Sequence, residues 1–304
     1  MTRTARSRKH KGFDLEKRLS RVESCIERRP AIWRGCWNKW RPAVAPSIDD
    51  ILAGQMPEPI DPTAKRWNEV RIDLGCGKGA FTVACAQAQP EVLFVGIDIE
   101  PVCAMHGAEV AKDAGVQNAV FTIDENPHVD ALFAPNEVSA IYMNFPAPLP
   151  KKKYADRRLT HVSRLLAYRS VLKQDGELWL KTDSEPLFIY SLGQLELAGF
   201  DVVWKTDDCR AARPDDPYTL YEEKLSAQGA CVYALCAKQR AGAVPRLEDI
   251  VQTDPQSLYD YLPDDLEGMT YIPHGMANGV ENMINQRRNQ QYDRTSVQRE
   301  SNGN

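Results

Sequence analysis

The chain has 304 residues, of which 43% are hydrophobic and 26% are charged. This length accommodates one large α/β domain with extensions, and the apolar content is that of an ordinary globular protein. No apolar run approaches the roughly 18 residues of a membrane span, and the basic N-terminus lacks the apolar core of a signal peptide, so we expect a cytoplasmic protein.

The net charge of −4 is unevenly distributed along the chain. Residues 1–42 form a basic arm with 13 Lys and Arg against 4 Asp and Glu, and the remainder is acidic. Such an arm either contacts a polyanion or is a solvated tail. Its tryptophans, Trp33, Trp37 and Trp40, either stack on bases or dock on the domain, and we favour docking because clustered tryptophans are usually packed.

Residues 43–69 form a proline-rich approach loop, and strand and helix signals alternate from residue 70 to about 240. Strands are predicted at 70–74, 92–97, 118–123, 138–143, 177–182, 201–205 and 231–237. Helices are predicted near 79–88, 101–114, 157–172 and 186–198. The alternation predicts an α/β fold with a doubly wound, mostly parallel seven-stranded sheet, whose last strand inserts antiparallel at the edge.

Two further features of the sequence are its C-terminal residues and its cysteines. Residues 241–304 are a polar C-terminal appendage with one helix near 277–291 and no evident chemistry. The eight cysteines form no Cys-x-x-Cys pair, so we expect reduced, mostly buried thiols and no metal site.

The first strand runs into a glycine turn, Asp73-Leu74-Gly75-Cys76-Gly77-Lys78-Gly79. Glycine tolerates positive φ and lets a ligand approach the backbone. The spacing lacks the last glycine of the dinucleotide-binding fingerprint. Asp98, about twenty residues beyond the glycines, nevertheless ends the second strand, where a carboxylate accepts hydrogen bonds from ribose hydroxyls. An adenosine site without a phosphate signature predicts S-adenosylmethionine as the cofactor.

Carboxylates follow several of the predicted strands. Asp73, Asp98, Asp124 and Asp183 all fall at C-terminal strand ends, where ligands bind in doubly wound sheets. The alternative is that each caps the helix that follows, and we expect one or two of them to do only that.

A basic stretch follows the proline-rich loop at 144–150. Lys151, Lys152, Lys153, Arg157 and Arg158 lead into the helix predicted at 157–172. Positive charge at a helix N-terminus opposes the macrodipole, so we favour a phosphate-binding element over a merely exposed helix start.

Between about residues 65 and 238 the chain resembles the bacterial tRNA (guanine-N7)-methyltransferase family. The resemblance rests on five motifs in order: Ile72–Gly79, Gly96–Asp98, Pro148–Lys153 with Arg157–Thr160, Leu180–Asp183, and Thr219–Ser226. It implies a class I S-adenosylmethionine-dependent methyltransferase fold, in which Asp73, Asp98 and Asp124 hold the cofactor beside Gly75 and Gly77. It also implies a tRNA-guanine site formed by Lys151, Asp183, Thr219, Leu220, Tyr221 and Glu222.

The chain departs from the family in one loop. The family reads Asp-Pro-Trp-Pro-Lys, whereas Ala147 stands here in place of the aspartate usually assigned the catalytic role, and Leu149 in place of the tryptophan. The resemblance implies methylation of N7 of a tRNA guanine, in the variable loop, with Asp183 as the remaining candidate catalytic group.

Three alternatives stay open. One is a paralogue that binds tRNA without efficient methyl transfer. The second is a methyltransferase with a changed substrate. The third and least favoured is a nicotinamide-dependent dehydrogenase. The sequence does not distinguish a monomer from a homodimer.

Overall fold

The computed structural model describes residues 14–42, 66–124, 128–217, 219–226 and 230–301. Residues 1–13 of the predicted basic arm and 43–65 of the predicted approach loop lie outside this set. The chain divides into two compact units, Met1–Pro127 and His128–Asn304.

The first unit contains three parallel strands. Its strands are β1 (Glu69–Leu74), β2 (Val92–Asp98) and β3 (Ala119–Ile123), and its helices are α1 (Leu15–Leu19), α2 (Ala80–Ala88) and α3 (Pro101–Asp113). β2 pairs with both β1 and β3, and its side chains are buried from Val92 to Ile97. Near-continuous burial of this kind is typical of a parallel strand covered on both faces.

The second unit contains the other four strands. They are β4 (Val138–Asn144), β5 (Leu172–Thr182), β6 (Phe200–Thr206) and β7 (Tyr233–Gln239). The helices are α4 (Val129–Leu132), α5 (Val162–Val171), α6 (Glu185–Leu197), α7 (Cys209–Ala212), α8 (Leu220–Ser226) and α9 (Ala277–Ser301). In the described ranges, no helix has the length and apolar character needed to cross a membrane.

The seven strands follow the order β3-β2-β1-β4-β5-β7-β6. β7 runs antiparallel to both β5 and β6, so the predicted α/β class and mostly parallel sheet with antiparallel pairing at one edge are confirmed. One detail differs, because β6 and not β7 is the outermost strand. Burial alternates along β6, as expected for a strand at an edge, whereas β7 is buried from Ala234 to Ala237.

The part of the basic arm that the structure describes packs on the first unit. Ile26 forms a parallel bridge with Phe121 of β3, and the Glu27 N–H donates to the Phe121 carbonyl at 2.8 Å. Trp37 and Trp40 are fully buried, which confirms the predicted docking for these two tryptophans. The arm therefore contributes to the core of this unit.

The C-terminal segment, defined here as residues 254–284, differs from the predicted polar appendage. Leu258, Leu266, Met276 and Val280 are buried against Leu187 and Tyr190 of α6. The segment is an integral part of the second unit's core. Before the helix predicted at 277–291 its apolar residues are separated by irregular polar stretches, so no helical or strand periodicity marked Leu258, Leu266 or Met276 in the sequence.

All eight cysteines are free thiols, and five of them are buried. The burial agrees with the expectation of mostly buried cysteines.

We predict that Gly79→Ala destabilises the protein through a close approach within the first unit. A Cβ there would lie 2.5 Å from the Gly107 Cα and 2.7 Å from the Phe121 ring, at a φ of 76°. Overpacking and the left-handed backbone together should lower the free energy of unfolding by about 2–5 kcal/mol. Urea denaturation measures the change.

The matched control is Gly115→Ala, since Gly115 has a φ of 67° and its Cβ would meet no atom within 4 Å. It should show only the left-handed penalty of roughly 1–2 kcal/mol. Equal losses in the two variants would contradict the close-approach explanation.

Candidate active site

The glycine turn between β1 and α2 has the backbone that its sequence predicts. Gly75, Gly77 and Gly79 have φ angles of 75°, 54° and 76°. The Gly75 N–H donates to the Ile97 carbonyl at 2.8 Å, which fastens the turn to the end of β2. A Cβ on Gly77 would meet no atom within 4 Å, so this part of the turn has room for a ligand to approach the backbone.

Asp98 is the group that organises this turn. Its Oδ2 accepts from the Gly77 N–H at 2.8 Å, and its Oδ1 accepts from the Glu100 N–H at 2.9 Å. Each carboxylate oxygen has a second acceptor site, and the side chain is only partly buried. The carboxylate is thus held rigidly with capacity left for two hydroxyl donors, such as those of a ribose.

Asp73 and Asp124 occupy different positions at these strand ends. Asp73 is fully buried, and its Oδ2 accepts from the Thr82 hydroxyl of α2 at 2.6 Å. It therefore ties the turn to the following helix. Asp124 follows β3, and its N–H donates to the Asp98 carbonyl at 3.2 Å, so the ends of β2 and β3 adjoin. Direct contact of either carboxylate with the cofactor stays a prediction.

The charges around the turn favour a cation. Burial raises the pKa of the Cys76 thiol, and the Asp73 and Asp98 carboxylates raise it further. Burial also raises the pKa of Cys103, with Asp98 and Glu100 adding to the shift. A negative potential stabilises a sulfonium or ammonium group and opposes a pyrophosphate. The Asp98 acceptors and the carboxylates at this turn therefore fit S-adenosylmethionine, which carries a ribose and a sulfonium.

In the second unit, the loop that follows β4 is held in an uncommon conformation. Phe145 and Leu149 have φ angles of 51° and 47°, a region that residues other than glycine seldom adopt. The Phe145 N–H donates to the Lys181 carbonyl at 2.7 Å, and the Pro150 carbonyl accepts from the Leu258 N–H at 2.9 Å. Ala147, at the position of the family aspartate, is exposed.

The structure contradicts the prediction that Arg158 contacts RNA. Its side chain is buried, and its guanidinium donates to the carbonyls of Leu149 and Gln256 at 2.9 and 2.8 Å. It also lies over the Tyr190 ring at 4.4 Å. Arg158 is therefore a buried clamp on the proline-rich loop and has no surface to offer a phosphate.

The other four basic residues of the stretch are exposed: Lys151, Lys152, Lys153 and Arg157. They surround a short 3-10 helix, Lys152–Arg157, and the next α-helix begins only at Val162. These cations do not stand at the N-terminus of a long helix, so the expected conflict with a macrodipole is absent. Their role as RNA contacts stays a prediction that rests on exposure and charge.

Asp183 lies directly after β5 and is 8% exposed. Its Oδ2 accepts from the Tyr271 hydroxyl at 2.5 Å. Burial, and then this hydrogen bond, raise the pKa of Tyr271, so the phenol stays protonated and donating at neutral pH. The next residue, Ser184, is the N-cap of α6. Asp183 therefore does not cap this helix.

The segment Thr219–Glu222 begins a helix instead of forming a loop. The Thr219 hydroxyl accepts from the Glu222 N–H at 2.9 Å, and Leu220 is the first residue of α8. The Glu222 side chain is fully buried and forms an ion pair with Arg210. The Thr219 hydroxyl and one oxygen of Glu222 therefore hold this segment in place. The Tyr221 side chain is half-buried.

The Tyr221 ring lies among groups from three parts of the second unit. It meets the Phe145 ring edge-on at a centroid distance of 5.4 Å and the His274 ring at 6.5 Å. Burial raises the pKa of Tyr221, and the charge of Asp183 raises it further. Asp183 is therefore near enough to Tyr221 for its charge to act on the phenol. Their role as a substrate site stays a prediction.

Several neighbours were absent from the sequence prediction. Tyr271 and His274 come from the C-terminal segment, and no motif marked them. Lys181 forms an ion pair with Asp216 at 3.2 Å, and Asp216 also receives a hydrogen bond from Arg213. The charges of Lys181 and Asp216 are plain in the sequence, but only the fold places the two side chains beside each other.

We predict that Asp98→Ala weakens S-adenosylmethionine binding by about 2–3 kcal/mol, because charge-assisted hydrogen bonds to the ribose are removed. Isothermal titration calorimetry measures the affinity. Glu100→Ala is the matched control: it also removes a carboxylate but retains the backbone N–H that binds Asp98. An unchanged affinity in Asp98→Ala, or equal losses in both variants, would remove Asp98 from the ribose site.

Comparison with known proteins identifies the family. Residues 68–235 match a family model described as a putative methyltransferase. The chain is 36% identical over 183 residues to the tRNA (guanine-N(7)-)-methyltransferase of Geobacillus kaustophilus, which covers 57% of this chain and 84% of that protein. It is 35% identical over 168 residues to that of Brevibacillus brevis, covering 55% and 78%.

Among solved structures, an antibiotic-related methyltransferase has a TM-score of 0.45 and 17% identity, covering 66% of this chain and 96% of that one. The match to the two curated relatives spans most of their length, and it confirms the resemblance carried by the five sequence motifs. The chain belongs to the tRNA (guanine-N(7)-)-methyltransferase family.

Proposed function

We propose that this chain transfers a methyl group from S-adenosylmethionine to N7 of a guanine in tRNA. The observation that carries the proposal is the family match over residues 68–235, which begins just before β1 and ends within β7. The Asp98-anchored glycine turn of the first unit and the Asp183 strand end of the second unit both fall inside the matched range. The relatives' names supply the substrate, and the geometry of these residues supplies the chemistry.

The reaction needs positioning more than proton transfer. Guanine N7 carries a lone pair, so no base has to remove a proton before attack. Bound S-adenosylmethionine supplies an electrophilic methyl group on a sulfonium. The protein must hold N7 in line with that methyl and exclude water, and orientation of this kind contributes roughly 7–11 kcal/mol to catalysis.

The first unit supports binding of the cofactor. Asp98 is fixed by two backbone N–H groups and retains acceptor capacity for the ribose. The open face at Gly77 admits the ligand close to the backbone. The Asp73 and Asp98 carboxylates near the turn also favour the sulfonium cation over neutral competitors.

The second unit supports binding of guanine and RNA. Guanine presents N–H donors on its Watson–Crick edge, and the Asp183 carboxylate is an acceptor suited to them. Because positive charge develops on the guanine ring as N7 is methylated, a fixed carboxylate also stabilises the transition state. Tyr221 offers a ring face or edge to the base, and the exposed cations Lys151–Lys153 offer contacts to phosphates.

Ala147 favours a second candidate function, a tRNA-binding protein with impaired methyl transfer. Loss of one preorganised electrostatic group typically lowers a rate about 10²–10³-fold. That loss is smaller than the contribution from orientation. We therefore propose a slow enzyme, with Asp183 taking the role of the guanine-binding carboxylate.

We predict weak methyl transfer by the wild-type protein. Ala147→Asp should increase the rate, because it adds a carboxylate to the loop, and Asp183→Ala should abolish it. The assay follows labelled methyl from S-adenosylmethionine into unmodified tRNA and maps the product by cleavage at N7-methylguanine.

The control is Pro148→Ala, which alters the same loop without adding charge. If the wild-type protein binds cofactor and tRNA but transfers nothing, and Ala147→Asp restores transfer, the tRNA-binding function replaces the enzyme. Methyl groups found at atoms other than guanine N7 would indicate a changed substrate.

We also predict that the exposed basic residues bind tRNA phosphates. Replacing Lys151, Lys152, Lys153 and Arg157 by Ala should weaken binding and flatten its salt dependence, by about 0.7–0.9 in log–log slope for each phosphate interaction removed. Fluorescence anisotropy at several salt concentrations measures the slope.

The charge-matched control replaces four cations away from the Asp183 end of β5: Lys173, Lys238, Arg240 and Arg246. It removes the same charge but should leave the slope nearly unchanged. A slope that falls equally in both variants would assign the effect to overall charge.

A further inference from the structure

The C-terminal segment lies outside the matched region 68–235, yet it contacts three separate parts of the candidate substrate site. The Gln256 carbonyl accepts a hydrogen bond from the Arg158 guanidinium. The Leu258 N–H donates to the Pro150 carbonyl. The Tyr271 hydroxyl donates to Asp183. The His274 ring contacts the ring of Tyr221.

These contacts are made from a fixed scaffold. Leu258 and Met276, which flank Tyr271 in the sequence, are both fully buried. The Ser184 hydroxyl, directly beside Asp183 in the chain, lies 3.8 Å from the Met276 sulfur. The start of α9 packs so closely on Tyr259 that a Cβ on Gly279 would overlap its ring. Tyr271 is therefore presented to Asp183 by packed residues on both sides.

The hydrogen bond leaves Asp183 with acceptor capacity. Tyr271 binds Oδ2, and Oδ1 receives no hydrogen bond from any residue in the described part of the chain. A carboxylate held at one oxygen loses its freedom to rotate, while the second oxygen and the remaining lone pair of the first stay able to accept. A preorganised acceptor of this kind binds a donor with less loss of entropy than a mobile one.

We propose that the C-terminal segment is a wall of the substrate site and that Tyr271 is a positioning residue, which orients Asp183 toward the donor edge of the target guanine. This rests on the proposed function, because it assumes that Asp183 binds guanine. It goes beyond that function by assigning a specificity role to a part of the chain that the family match does not include.

The opposite arrangement is a plug, in which Tyr271 occupies the acceptor that guanine needs and must leave before RNA binds. The two arrangements predict opposite effects on tRNA binding when the Tyr271 hydroxyl is removed. Loss of a positioning hydroxyl weakens tRNA binding and slows transfer, whereas loss of a plug strengthens binding. The lack of a hydrogen bond at Oδ1 within the described residues favours positioning, since this oxygen is a second acceptor that does not require the phenol to leave.

The test is a double-mutant cycle on the full-length chain with Tyr271→Phe, Asp183→Asn and both together. Each protein is measured for kcat and KM in tRNA methylation and, without turnover, for its tRNA dissociation constant. Tyr271→Phe should lower kcat/KM by about 10- to 100-fold, as expected when a hydrogen bond to a charged group is removed. The double variant should be no worse than Asp183→Asn, because the hydroxyl acts only through that carboxylate.

The matched control is Tyr261→Phe in the same segment, whose hydroxyl donates to the Pro255 carbonyl at 2.9 Å and does not reach Asp183. It should change kcat/KM by less than about twofold, as for a substitution away from the site. Thermal unfolding midpoints of Tyr271→Phe and Tyr261→Phe should be similar, which separates positioning from loss of folding.

Several outcomes overturn the inference. It is rejected if Tyr271→Phe matches the wild type in activity and affinity, if it binds tRNA more tightly, or if its effect multiplies with that of Asp183→Asn. If the wild-type protein transfers no methyl, the proposed enzyme fails, but the cycle measured on tRNA affinity still decides the role of Tyr271. Absence of coupling in that cycle, or of tRNA binding altogether, rejects the positioning role.

Discussion

The Asp98 carboxylate, held by the N–H groups of Gly77 and Glu100, is the interaction on which the cofactor half of this protein depends. It joins the end of β2 to the glycine turn after β1 and to the residue before α3. Without this carboxylate, the part of the turn at Gly77 would have more conformational entropy to lose on binding. With both carboxylate oxygens engaged, the turn is shaped by the protein itself, and a ligand meets acceptors that are already oriented.

Asp183 has a corresponding arrangement in the second unit, but its support comes from far along the chain. The partner is Tyr271, which is separated from it by β6, β7 and the loops between them. The two carboxylates thus share one physical requirement: an acceptor that binds a ligand must be fixed by the protein and still keep a lone pair for the ligand. Local sequence meets that requirement at Asp98, and tertiary packing meets it at Asp183.

The charges of the two units also suit different ligands. The Asp73 and Asp98 carboxylates near the glycine turn produce a negative potential there, which adds to the effect of burial in raising the pKa of Cys76. The exposed residues Lys151–Lys153 give the second unit a local positive surface. A cationic cofactor and a polyanionic substrate each find the complementary sign.

Much of the fold could be predicted from the sequence, because each strand in the alternating region is a short apolar run bounded by turn residues. The position of β7 was harder, since strand order depends on pairing partners and not on the strand's own residues. Asp98 and Asp183 could be predicted for the same reason as the strands, because each of them stands at the end of a strand. The place of Asp98 beside the glycine turn was predictable because its partners lie within the local βαβ sequence.

Other parts of the site could not be predicted. Arg158 was indistinguishable in sequence from its exposed neighbours, because charge reveals nothing about burial when the partners are carbonyls of a distant segment. Glu222 likewise pairs with Arg210 only through the fold. Tyr271 lies in a segment without periodicity, and its meeting with Asp183 depends on how Leu258 and Met276 pack on α6.

The bridge between Ile26 and Phe121 has a consequence for the behaviour of the protein in concentrated solution. β3 is the outermost strand at its side of the sheet, and an outermost strand presents unpaired N–H and C=O groups that can recruit a strand from another molecule. By accepting the Glu27 N–H, the Phe121 carbonyl becomes unavailable for such recruitment. The described part of the basic arm therefore blocks this position of the β3 edge, and a shortened protein that lacks residues 14–42 would expose it and lose the buried Trp37 and Trp40.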